Sequence, residues 1–143
     1  MSASAGPKSS GPAYHVLVVE DDESSRRTLA RLLELSGFRV TAVPDAPSAL
    51  SAVVSATSPV DLVLTDYHLP GVDGVRLIRE LRSSRPSMVV AVMTGATSEE
   101  STDALEAVGA DLLFFKPLRI GVVAQRFRDM LSRADAEPNQ GTP

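Results

Sequence analysis

Apolar and polar positions alternate along this chain with two different periods. His15–Val19 (HVLVV) is a short apolar run rich in β-branched residues, the pattern of a strand covered on both faces. From Ser24 to Ser36, Leu29, Leu32 and Leu33 recur at helical spacing, and Gly37 supplies a stop. Phe38–Val43 alternates, as a strand nearer an edge does. Asp45 can cap a second helix, with Pro47 in its first turn and Ala46, Ala49, Leu50, Val53 and Val54 as its apolar face. The rhythm then repeats. Val60–Thr65 predicts a third strand and Asp73–Ser83 a helix with Leu77, Ile78 and Leu81 inward. Met88–Met93 predicts a fourth strand, Ser98–Val108 a helix closed by Gly109, and Leu112–Phe115 a fifth strand. Arg119–Ser132 predicts the last helix, with Ile120, Val123, Phe127, Met130 and Leu131 at steps of three and four.

Strands that alternate with helices in this way imply an α/β fold: a doubly wound, five-stranded parallel sheet with helices on both faces, in the order 2-1-3-4-5. The pattern occupies residues 14–133 as one domain. Residues 1–13 hold two Gly-Pro pairs, and residues 134–143 carry two prolines and no apolar side chain larger than Ala, so both are expected to be flexible tails.

Composition narrows the chemistry. The 143 residues are 43% hydrophobic, ample for one core, and contain no cysteine. Thiolate metal sites, disulfides and a cysteine nucleophile are therefore excluded. Fourteen basic residues against eighteen acidic ones leave a net charge of −4, the wrong sign for a general polyanion binder. Arg119, Arg126, Arg128 and Arg133 cluster near the C-terminus, but Asp129 interrupts them, so direct nucleic-acid binding is not expected. No apolar run approaches the roughly 18 residues that cross a bilayer, and the N-terminus lacks the apolar block of a secretory signal. A cytoplasmic protein without a membrane partner is expected.

In a doubly wound sheet, ligands bind beyond the carboxyl ends of the strands. Glu20, Asp21 and Asp22 follow the first strand, Asp66 the third, Thr94 the fourth and Lys116 the fifth. The predicted order brings these ends to one rim. Carboxylates packed together need a cation, since two like charges 4 Å apart repel by about 4 kcal/mol at an effective dielectric near 20. Hard oxygen donors favour Mg2+, which commonly bridges carboxylates to phosphate. Asp66, with no adjacent acid, is the candidate nucleophile, able to form an aspartyl phosphate. Glu20 and Asp21 would hold the metal. Lys116 would neutralise phosphoryl oxygens, and the Thr94 hydroxyl would donate to one of them. Taken singly, each of these residues reads as a helix cap or a solvated side chain. Together they do not. His15 is expected to be a partly exposed strand terminus.

The segments VLVVEDDESSRR, DLVLTDYHLPGVDG, AVMTGA and FFKPL, in this order, resemble the receiver domain of two-component response regulators, over roughly His15 to Arg133. The family is flavodoxin-like and has the strand order given above. The resemblance implies phosphorylation of Asp66, metal binding by Asp21 directly, Glu20 through water, Asp66, and the backbone carbonyl of His68. It also implies Thr94 as the switch hydroxyl, Lys116 as the phosphate-binding lysine, a cis Lys116-Pro117 bond, and turns at Gly71 and Gly74 in the loop beneath the site. Two positions depart from the pattern. Leu113 stands where the family usually has a switch Tyr or Phe; Phe114 faces the other way by strand alternation, and Phe115 is expected to pack under helices. His68 lies beside the pocket, where it would tune the lifetime of the aspartyl phosphate.

The expected function is therefore a phosphoacceptor receiver, not an enzyme. Its donor is a histidine kinase or phosphotransfer protein. Its output is a downstream protein, or a second copy, met through the face made by the predicted helices at 98–108 and 119–132 and the strand between. No output domain is expected after the last helix. The alternatives are a receiver module of a hybrid histidine kinase and a pseudo-receiver scaffold that is never phosphorylated. A phosphatase of the haloacid dehalogenase type would need an Asp two residues after the nucleophile, where His68 stands, and room for a substrate cap.

Overall fold

Five apolar runs pair into one parallel sheet: β1 (His15–Val19), β2 (Arg39–Val43), β3 (Leu62–Asp66), β4 (Val89–Thr94) and β5 (Leu112–Phe115). The computed structural model describes residues 13–55, 59–95, 103 and 109–136. The strand order is β2-β1-β3-β4-β5, as the sequence predicts, and all four pairings are parallel. β1, β3 and β4 are buried along their whole length, which is why they read as unbroken apolar runs. β2 lies at one edge and is half exposed, which is why it alternates.

The helices are α1 (Glu23–Leu35), α2 (Ala46–Ser55), α3 (Gly74–Ser84) and a C-terminal helix (Ile120–Ala136). Asp22 and Asp45 open α1 and α2, their carboxylates accepting the backbone N–H of Ser25 and Ser48 at 2.8 and 2.9 Å. On one face of the sheet, Leu29 and Leu33 of α1 and Val123, Phe127 and Leu131 of the C-terminal helix cover Val16, Val18, Leu62, Leu64, Ala91, Met93 and Phe114. On the other, α2 and α3 cover Leu17, Val19 and Val63 with Ala46, Ala49, Val53, Leu77 and Leu81. Residues 68–69 and 72–73 pair as a small antiparallel hairpin between β3 and α3, turning at Gly71 with φ +73°. That φ requires glycine. Gly74 has no such conformation; it is needed because Tyr67 lies against it, so that a Cβ would sit 2.7 Å from the Tyr67 carbonyl oxygen.

Several expectations shift. β3 and β4 each end one residue later than predicted, so Asp66 and Thr94 are the last residues of their strands. His15 is buried, not partly exposed: its backbone N–H donates to Asp61 and its Nε2 lies 2.8 Å from the Thr41 hydroxyl. Val54 is 75% exposed because it falls off the stripe that Ala46, Ala49 and Val53 make. The C-terminal helix passes Ser132 and runs through Ala134 and Asp135 of the expected tail, where the Tyr14 hydroxyl donates to Asp135 at 2.7 Å. Gly109, at φ +98°, has the left-handed conformation of a helix stop. Apart from Asp103, the helix expected over 98–108 lies outside the described residues, as do most of both expected tails.

Arg82, which the sequence pattern does not single out, ties the end of α3 to the start of β5. Its guanidinium donates to the carbonyls of Pro86, Met88 and Gly109 and pairs with Asp111, whose carboxylate also accepts the Val90 N–H. The other packing centre is Phe127. Fully buried, it meets Phe38 and Phe114 edge-on, each at 5.9 Å between ring centroids. Phe127→Ala is expected to cost about 3–5 kcal/mol of unfolding free energy, read by urea denaturation. A loss below ~1 kcal/mol would mean that the C-terminal helix is not part of the core.

Candidate functional site

The carboxyl end of β1 leads straight into α1, and this junction fixes Glu20 and Asp21. The Glu20 N–H donates to the Val43 carbonyl at 3.1 Å, and Arg26, one turn into α1, donates to the Glu20 carbonyl at 3.1 Å. Glu20 Oε2 accepts the Asp22 N–H at 3.0 Å. The Glu20 side chain is 5% exposed, and that burial pushes its carboxyl pKa up, against the pull of the Asp22 N–H and the Lys116 ammonium. Asp22 is held below the ordinary carboxylate range by the hydrogen bonds from Ser25 that make it the cap.

Asp66 closes β3 inside the sheet. One of its oxygens, Oδ1, accepts the His68 N–H at 2.9 Å, and Oδ2 lies 2.7 Å from Lys116 Nζ. The same ammonium is 3.5 Å from Glu20 Oε1. Burial alone would lower the Lys116 pKa, but the hydrogen bond and charge of Asp66, reinforced by Glu20, carry it above its ordinary value. Carboxylate oxygens of Glu20, Asp21 and Asp66 lie within 4.8 Å of one another, with Asp21 on the solvent side. Three carboxylates against one ammonium leave two formal negative charges in this cleft. Thr94, at the end of β4, is 2% exposed, and its carbonyl accepts the Lys116 N–H at 2.9 Å. The Lys116-Pro117 bond is cis, as expected.

The structure thus gathers Glu20, Asp21, Asp66 and Lys116 and stitches Thr94 to their rim. The His68 ring is exposed and meets Tyr67 edge-on at 4.8 Å, while its backbone serves Asp66. Leu113 packs with Tyr67, Val75 and Ala110 on Ile78, Val90 and Val92. Phe114 joins the opposite layer, as alternation requires. Phe115 does not pack under helices. It is 47% exposed, because it stands at the open end of the edge strand. Sequence reasoning missed Arg26 and Tyr67. For Arg26 there was a signal: a cation so near the start of a helix opposes its dipole, so it needs a local reason. For Tyr67 the signal was an aromatic ring next to the acid and a glycine seven residues on.

The donor set is all hard oxygen, which suits Mg2+ and offers nothing to a thiophilic metal. Residues 16–128 match the model of the response regulator receiver domain. The chain belongs to the response regulator receiver family. The receiver is 41% identical over 119 residues to the transcriptional regulatory protein CseB of Streptomyces avermitilis, covering 83% of this chain and 49% of that protein. It is 37% identical over 129 residues to the sensory transduction protein RegX3 of Mycobacterium tuberculosis, covering 88% of this chain and 56% of the relative. The receiver therefore spans about half the length of these curated relatives. Among solved structures it resembles a CheY-like receiver domain protein from Methanospirillum hungatei, with a TM-score of 0.81 at 25% identity, covering 87% of this chain and 98% of that one. It is thus a receiver domain of the two-component type, a signalling module whose family works with histidine kinases and downstream effectors.

The raised Glu20 pKa has a testable sign. A carboxyl that holds its proton more tightly in the folded chain stabilises the fold below its unfolded pKa and loses that contribution as pH rises through the folded one. Metal-free wild type is therefore expected to lose stability relative to Glu20→Gln as pH rises across the range above the ordinary glutamate pKa of about 4.3. Parallel denaturation curves for the two proteins across that window would contradict the burial of a charged Glu20.

Proposed function

We propose that this receiver accepts a phosphoryl group on Asp66 from a phosphohistidine of a histidine kinase or phosphotransfer protein, and signals by protein contact. The observation that carries this reading is the Lys116–Asp66 pair at 2.7 Å inside a three-carboxylate cleft. In the transfer, an Asp66 carboxylate oxygen attacks phosphorus, the O–P bond forms as the P–N bond breaks, and the electron pair leaves on the donor imidazole nitrogen. Lys116 meets the phosphoryl oxygens as a compact charge, and the Thr94 hydroxyl donates to one of them. Glu20, Asp21 and Asp66, with the His68 backbone carbonyl, would hold Mg2+, which when bound offsets charge on the carboxylates and the phosphoryl oxygens.

Phosphorylation changes the charge at Asp66 from −1 to about −2 near neutral pH. The fold has a surface able to read that change. Phe115 and Val122 are 47% and 51% exposed, and with Pro117, Leu118 and Arg119 they border a groove of about 230 Å3 between β5 and the C-terminal helix. A target protein or a second copy would dock there. No helix among the described residues is long and apolar enough to cross a membrane. The proposed setting is the cytoplasm, and the proposed role is signalling rather than turnover of a substrate. Leu113 favours one second reading, a pseudo-receiver that binds without being phosphorylated.

Acetyl phosphate with Mg2+ separates the two. Wild type is expected to take up an acid-stable, base-labile phosphoryl label whose uptake is blocked by chelator added beforehand and by Asp66→Asn; no label on wild type would establish the pseudo-receiver instead. Once labelled, His68→Ala is expected to lose its phosphoryl group more slowly than wild type, because the imidazole beside the site can hold the attacking water. Equal hydrolysis rates at several pH values would leave His68 with only its backbone role.

A further inference from the structure

Tyr67 follows the phosphoacceptor directly, and its backbone is pinned from both sides. Its N–H donates to the Met93 carbonyl at 2.9 Å, and the next N–H, that of His68, donates to Asp66 Oδ1 at 2.9 Å. Its side chain then leaves the cleft. The ring lies against the Gly74 backbone at the start of α3, with no room there for even a Cβ, and is half-buried on Ile78, Val90 and Val92, a cluster on which Ala110 and Leu113 also pack. Leu113 sits opposite Val92 in the β4–β5 register. One residue therefore meets the site through its peptide units and, through its ring, the β4 cluster on which Leu113 of the edge strand also packs.

No other described aromatic side chain makes that connection. Phe38, Phe114 and Phe127 form the layer on the opposite face, Tyr14 packs against the same layer, and Phe115 points to solvent. The position from which an aromatic could swing along β5 is filled by the aliphatic Leu113. We propose that Tyr67 is a positioning residue that carries the chemical state of Asp66 to Leu113 and the β4–β5 edge. The proposal rests on the phosphoacceptor reading above and adds the route by which it reaches the surface.

The physical basis is the loss of an acceptor. Phosphorylating one Asp66 oxygen, which makes it the bridging oxygen of an acyl phosphate, removes its negative charge and leaves it a poor partner for whichever donor it had, Lys116 Nζ or the His68 N–H. The peptide units between residues 66 and 68 must then adjust. Gly74 presents backbone rather than a yielding side chain against the ring, so displacement of Tyr67 is passed into Ile78, Val90 and Val92, the cluster on which Leu113 and Ala110 also pack.

The chain has no Trp and two Tyr, and Tyr14 is bonded to Asp135 near the opposite, amino-terminal ends of the strands. Tyr14→Phe thus leaves Tyr67 as the lone tyrosine fluorophore. Beryllium fluoride with Mg2+, a phosphoryl mimic, is expected to change Tyr67 emission saturably in that variant, with the same midpoint as the amide shifts of Tyr67 and His68. Methyl shifts of Leu113 and Ala110 are expected to follow in wild type and in Tyr67→Phe, and to vanish in Tyr67→Ala while the His68 amide shift remains. Should Tyr67→Ala fail to fold, the fluorescence titration decides alone. A saturable His68 shift with constant Tyr67 emission, or with Leu113 shifts intact in folded Tyr67→Ala, would overturn the Tyr67 route and leave the phosphoacceptor reading standing. Absence of any Mg2+-dependent shift at His68 would overturn both.

Discussion

The ion pair between Lys116 and Asp66, fifty residues apart in the chain and 2.7 Å apart in space, is the constraint on which the site depends. Burying Asp66 at the end of a central strand would be costly without a partner, and burying Glu20 beside it would be more so. Lys116 answers both carboxylates, and the His68 and Asp22 backbone N–H groups take the remaining oxygens. One ammonium does not balance three carboxylates. The remaining formal charge is of the sign that a divalent cation offsets, and its donors are all carboxylate oxygens.

The sheet makes this meeting possible. Parallel pairing of β1, β3, β4 and β5 puts four carboxyl ends on one rim, and the register sets Asp66 against Met93 and Thr94 against Phe115. Local capping then finishes the geometry: Asp22 starts α1 and holds Glu20 through its own N–H, so one turn serves both the helix and the site. At the opposite ends of the strands, Arg82 joins α3, the β4 approach and β5 through carbonyls and Asp111. The two ends divide the labour, one end holding the frame together while the other concentrates charge.

Most of this was legible in the sequence. β-branched runs buried on both faces announce central strands, and the chemistry-bearing residues stand directly after them, so Glu20, Asp21, Asp66, Thr94 and Lys116 could be assigned to one rim from spacing and topology. What escaped depends on contacts that no period encodes. His15 looks like a strand terminus, yet it is buried because Asp61 and Thr41 supply partners across neighbouring strands. Phe115 looks like core by alternation, yet it lies where the edge strand runs out of cover. Gly74 looks like a turn glycine, and its reason is instead the Tyr67 ring. Ser132 looks like a helix end, but Ala134 is a strong helix former and the Tyr14 hydroxyl gives Asp135, a poor one, a partner that holds it in the last turn.

A crystal structure of the receiver with Mg2+ and beryllium fluoride tests the central claim most directly. The expected result is Mg2+ among Glu20, Asp21 and Asp66, with the fluoride adduct on the Asp66 carboxylate and Lys116 turned from that carboxylate onto a fluorine. A metal bound elsewhere, or an adduct that leaves the Lys116–Asp66 pair at its present distance, would contradict it.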